Sequence, residues 1–71
     1  MEKFFIKTMY IDLKKRLDTG TGILRVNGAP CEFTTLEETR EAAAEFMKVY
    51  PQFFAEAMTE REAKNLNLIP Q

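Results

Sequence analysis

No histidine and no tryptophan occur in this chain, and cysteine occurs once. Without histidine there is no His-dependent catalytic triad, no imidazole metal ligand and no imidazole acid–base chemistry. The single cysteine, Cys31, can neither close a disulfide within the chain nor complete a zinc or dithiol redox site. It is expected to sit in the core as a small apolar residue, in a compartment where disulfides are not needed, the cytoplasm by default. Glycine is also scarce: Gly20 and Gly22 lack the further glycines of a phosphate-binding or dinucleotide loop, and they precede an expected strand rather than a helix. No apolar run approaches the roughly 18 residues that span a bilayer, so no membrane role is expected. Residues Met1 to Arg16 have neither a continuous apolar stretch nor a small-residue cleavage site, and a signal peptide is not expected. No cofactor and no metal site are expected.

What remains is one small domain, 1–71. A core of this size leaves a surplus of roughly 3–5 kcal/mol over conformational entropy unless something staples it. Burial against a larger protein or a second copy is the remaining common way to add apolar area.

The stretch Ile23 to Glu38, ILRVNGAPCEFTTLEE, is dense in local instructions. Asn27-Gly28 between two short apolar runs predicts a two-residue hairpin loop with both central residues at positive φ. Such a loop pairs Val26 with Ala29, Arg25 with Pro30, Leu24 with Cys31 and Ile23 with Glu32. Leu24, Val26, Ala29, Cys31 and Phe33 then share one apolar face. Pro30 has no N–H and in this register turns its nitrogen away from its partner, which makes 29–33 an edge and places any further strand beside 22–26. Residues 3–13, rich in aromatic and β-branched side chains, are read as that strand, with Lys14 to Gly22 as the first connection. Ile6, Met9, Tyr10, Leu13 and Leu17 also fit a helical stripe, but a hairpin alone needs a third strand or a helix to be stable. As a strand, the segment carries Phe5, Met9, Ile11 and Leu13 on one face and Phe4, Ile6 and Tyr10 on the other.

Thr35-Leu36-Glu37-Glu38 is a capping box, with Thr35 as N-cap and Glu38 reaching back. The helix it opens carries Leu36, Ala43, Phe46, Met47 and Tyr50 on one stripe, to be laid on the sheet, and Pro51 ends it. Gln52 to Met58 is read as a second short helix with Pro51 at its first position. Thr59-Glu60-Arg61-Glu62 is a second capping box, opening a last helical stretch to about Asn65 or Leu66. The expected fold class is therefore α+β: an antiparallel three-stranded meander packed under one main helix, with one or two short C-terminal helices.

Asp18-Thr19-Gly20 is similar to the Asp-Thr-Gly of retroviral-type aspartic proteases, in which two such carboxylates share a proton. The similarity covers three residues, and Thr21 stands where that family usually has Ala or Ser. Asp-x-Gly is also a common turn sequence whose carboxylate caps its own backbone, and no catalytic residue is assigned.

The net charge is −1, but the charges are segregated. Glu37, Glu41 and Glu45, with Glu38, form an acidic flank of the main helix, and the Glu37/Glu41 and Glu41/Glu45 pairs are mutually unfavourable at i, i+4. Such a flank is either first-turn acids that suit the helix dipole with the rest a solvated face, or a surface for a basic, nucleic-acid-handling protein. Phe4, Ile6 and Tyr10 are the second candidate contact, as an outward apolar patch; their alternative is burial under Phe53-Phe54. Lys14, Lys15, Arg16 and Arg25 could instead touch phosphate. The expected function is thus a non-enzymatic protein-binding module, an inhibitor or regulator of a larger protein complex. Small, cofactor-free, acidic-faced domains of this build occur among phage- and plasmid-encoded inhibitors of bacterial defence, a likeness of size and build. The alternatives are a nucleic-acid-binding regulator and a homodimeric interaction protein.

Overall fold

The computed structural model describes residues 2–12 and 17–70, and of residues 11, 12 and 17–20 the backbone. The elements run β1 (Phe4–Asp12), β2 (Leu17–Ile23), β3 (Arg25–Val26), β4 (Ala29–Pro30), α1 (Leu36–Val49), β5 (Phe53–Thr59) and α2 (Glu60–Asn65). The main sheet is antiparallel in the order β2-β1-β5, with β3 and β4 forming a separate ribbon. The class is α+β, as expected, but the three strands are not consecutive in the chain.

β1 is the strand expected over 3–13, and it is central. Its two apolar faces are explained by cover on both sides. On one face Ile6, fully buried, joins Ala43 of α1 and Ala55 of β5, with Leu24, Phe33, Phe46 and Met47 packed around them. On the other face Phe5 meets Met58 and Ala63, closed by Ile23, Leu68 and Ile69. Truncating a fully buried isoleucine costs about 2–5 kcal/mol, the whole margin of a domain this size.

The largest correction concerns 52–58, where no helix forms and Phe53–Thr59 is strand β5. Ala55, Glu56, Ala57 and Met58 are all strong helix formers, so local propensity points the wrong way. Pairing with β1 overrides it: Phe5 lies opposite Met58, Lys7 opposite Glu56, Met9 opposite Phe54 and Tyr10 opposite Phe53. The alternation of Phe53, Ala55 and Ala57 against Phe54, Glu56 and Met58 fits the two sheet faces. Lys7 and Glu56 add a cross-strand ion pair at 2.6 Å.

The first connection is also shorter than 14–22, because Leu17–Ile23 is already strand. Met9 pairs with Thr21 but Ile11 pairs with Asp18, so Thr19 and Gly20 together face Tyr10 across a β-bulge. The Asp18-Thr19-Gly20 sequence therefore lies in a bulged strand, where glycine is at home, rather than in a turn.

The Asn27-Gly28 hairpin forms with the expected register, Val26 opposite Ala29 and Arg25 opposite Pro30, and φ is +53° at Asn27 and +83° at Gly28. It is a protrusion, though, and 29–33 is not an edge of the main sheet. Leu24 N–H donates to the Ile6 carbonyl (2.9 Å), Cys31 N–H donates to the Leu24 carbonyl (3.0 Å), and Phe33 exchanges two hydrogen bonds with Phe4 (2.8 and 2.9 Å). The chain leaves β1 at Leu24 and returns at Phe33. A continued register would place Val26 opposite Phe4; the excursion places a phenylalanine there instead. Of the expected apolar face, Leu24 and Phe33 pack on the core while Val26 and Ala29 are exposed.

Both helix starts follow their capping sequences. Thr35 Oγ1 accepts from Glu38 N–H and Thr59 Oγ1 from Glu62 N–H, each at 3.1 Å. α1 stops as Pro51 requires, and the chain turns at once into β5. α2 closes with Asn67 at φ +59°, Asn67 N–H on the Lys64 carbonyl and Leu68 N–H on the Ala63 carbonyl. That is a Schellman ending, and it drops Leu68 and Ile69 onto the core.

Candidate protein-binding surface

The rotation of α1 is set by what it buries. Thr39, Ala43, Phe46 and Met47 recur at three- and four-residue spacing and face the sheet. Thr39 is fully buried, its hydroxyl donating to the Thr35 carbonyl at 2.7 Å. Tyr50 and Leu36, assigned to the same stripe, are partly exposed at its ends. This rotation turns Glu37, Glu38, Glu41 and Glu45 to solvent. Glu45 contacts Lys48 at 3.4 Å across an exposed pair; among the described residues Glu37, Glu38 and Glu41 have no ion-pair partner. Each i, i+4 repulsion costs about 0.2–0.5 kcal/mol, while Glu37 and Glu38, in the first turn, suit the helix dipole; Glu41 and Glu45 lie beyond that turn.

Beside this flank runs a groove of about 360 Å³ between α1 and β5. Leu36, Arg40, Ala44 and Met47 line its helix wall, with Ala55 and Ala57 on the strand side. β5 is an edge of the sheet. Because Phe4 and Ile6 turn their peptide groups to the β2 side, those of Phe5, Lys7 and Met9 face β5. The alternation then points Phe54, Glu56 and Met58 toward β1 and Ala55 and Ala57 outward. Among the described residues no strand pairs with that outward edge.

The Phe4/Ile6/Tyr10 set lies on the α1 side of the sheet. Ile6 is core, Phe4 is half-buried and bridged to Phe33, and Tyr10 is 45% exposed. Phe53 lies beside these residues in the sheet rather than over them. Tyr10 meets it edge-on at 5.3 Å, and Phe53, Phe46 and Tyr50 continue the row at 5.7 and 5.0 Å. Tyr50 and Val49, also exposed, extend this aromatic end.

Of the basic candidates, Arg25 alone is among the described residues. Arg25 is exposed on the protruding ribbon, where its Nη1 reaches the Gly28 carbonyl at 3.4 Å. That ribbon departs beside Ile6, whereas Asp12 and Leu17 pair at the other end of the ladder, roughly 20 Å away at ~3.3 Å per residue. Lys14, Lys15 and Arg16 themselves lie outside the described residues. Cys31 is half-buried.

No family model, curated protein or solved structure matches this chain. The acidic flank follows from helical periodicity alone. The groove does not, because its second wall is the strand that local propensity disguises as a helix; the alternation of Phe53, Ala55 and Ala57 was the available signal. No helix among the described residues is long and apolar enough to cross a membrane.

Proposed function

We propose that this chain is a non-enzymatic protein-binding module that inhibits or regulates a larger complex by occupying a basic site on it. The observation that carries this is the flank of α1: Glu37, Glu38 and Glu41 are exposed and have no cationic partner among the described residues. An exposed acidic face without cations of its own is complementary to a basic surface that docks on it. A nucleic-acid-handling protein has such a basic surface, and an anti-defence inhibitor would act by covering it.

The test is capture of partners by the tagged full chain from a lysate of the encoding organism, with and without nuclease. A stoichiometric protein that survives nuclease and fails to bind Glu37→Gln/Glu41→Gln/Glu45→Gln is the expected result. Loss of every captured protein on nuclease treatment would refute it in favour of nucleic acid.

A further inference from the structure

We infer that the groove between α1 and β5 accepts an extended, basic segment of the partner, which adds to the free edge of β5 as a fourth strand. The inference rests on the protein-binding function proposed above and names how the contact is made. The peptide groups of Ala55 and Ala57 point to an edge unpaired among the described residues; Ala57 is half-open, and Ala55, 3% exposed, is covered until the side chains over it move. The hydrogen-bonding complement of such an edge is another extended backbone. Ala55 is buried at the floor, Ala57 is half-buried, and Ala44 is small, so alternate side chains of an added strand can enter. Met47 and Arg40 flank the entry on unbranched chains that can swing aside. Arg40 is also placed to donate to carbonyl oxygens of the incoming strand.

Charge selects what enters. Glu37 and Glu41 are i, i+3 neighbours of Arg40 and Ala44 on the helix, and Glu56 belongs to the opposite wall. Lysine or arginine reaching past Arg40 and Ala44 on the α1 side would meet Glu37 and Glu41; on the other face of the sheet the Glu56 side chain already pairs with Lys7. A second copy laid antiparallel about Glu56 would set Glu56 against Glu56, and like charges directly opposite are destabilising; registers about Ala55 or Ala57 carry no such clash, and a dimer is an outcome of the test. The exposed carboxylates of Glu37 and Glu41, without an ion-pair partner among the described residues, commit the occupant to a basic strand from another protein.

The test uses the isotope-labelled full chain and three synthetic decapeptides: alternating Lys-Val, alternating Glu-Val, and Lys-Val with every second backbone nitrogen methylated. Amide resonances report the site. The Lys-Val peptide is expected to shift and protect Ala55 and Ala57 and to bind at least about tenfold tighter than either control. Ala57→Pro, which removes one outward N–H, and Ala44→Arg, which fills the groove from an exposed helix position, should each abolish that protection. Equal binding of the methylated peptide, with shifts confined to the acidic flank, would overturn strand addition while leaving the protein-binding function standing. No shift at about 1 mM peptide, the weak limit of specific affinity, would overturn it as well. So would a dimer that protects the same amides without peptide.

Discussion

Replacing Glu56 by proline and, separately, Ala57 by proline makes the same backbone change at adjacent residues of β5, yet the consequences should differ sharply. The Glu56 peptide faces Lys7 of β1, so Glu56→Pro removes a ladder donor and orphans an interior carbonyl, at about 1–3 kcal/mol. It also removes the Lys7–Glu56 pair. That pair is short, but Glu56 is 46% exposed, and it is worth about 0.2–1 kcal/mol after screening. The ring must in addition be accommodated against β1. Against a margin of roughly 3–5 kcal/mol, Glu56→Pro should leave the chain largely unfolded. Ala57→Pro places its ring in the groove and removes no ladder bond; edge positions tolerate proline, and the stiffened unfolded chain returns about 0.4–1 kcal/mol. Its stability should stay within about 1 kcal/mol of the parent. Urea unfolding followed by circular dichroism measures both, with Glu56→Ala isolating the ion pair. Equal destabilisation, or the reverse order, would show that the outward residues of β5 have been assigned to the wrong alternation.

Removing either helix cap, Thr35→Ala or Thr59→Ala, should cost about 1 kcal/mol, read as a lower urea midpoint at unchanged slope. Ile6→Ala should cost about 2–5 kcal/mol and abolish cooperative unfolding, so any loss of binding in that variant reports unfolding rather than a lost contact. Glu37→Gln/Glu41→Gln/Glu45→Gln should change stability by no more than about 0.5 kcal/mol, because the exposed Glu45–Lys48 pair and the first-turn position of Glu37 are offset by relief of the i, i+4 repulsions.

The features legible in the sequence are those whose causes lie within a few residues. Asn27-Gly28 specifies its own turn, Thr35 and Thr59 specify their own caps, and Pro51 ends α1 without outside help. The acidic flank belongs to the same group, since the spacing of Ala43, Phe46 and Met47 already decides where Glu37, Glu41 and Glu45 point. β5 was not legible because Ala55-Glu56-Ala57-Met58 prefers helix, and its strand state comes from β1, more than forty residues earlier in the chain. Both the central place of β1 and the groove depend on β5, so neither could be read. The hairpin shows a second kind of limit: its register was local, but the return of Phe33 to Phe4 depends on which residue best fills a distant core.

The most direct test of the central claim is the affinity of the captured partner, once purified, for the parent chain and for Glu37→Gln/Glu41→Gln/Glu45→Gln at low and high salt. The flank should supply much of the attraction, so the triple variant should bind at least about tenfold more weakly at low salt. The difference should narrow as salt screens the charges. Equal affinity of the two chains at low salt would contradict a contact made through the acidic face of α1.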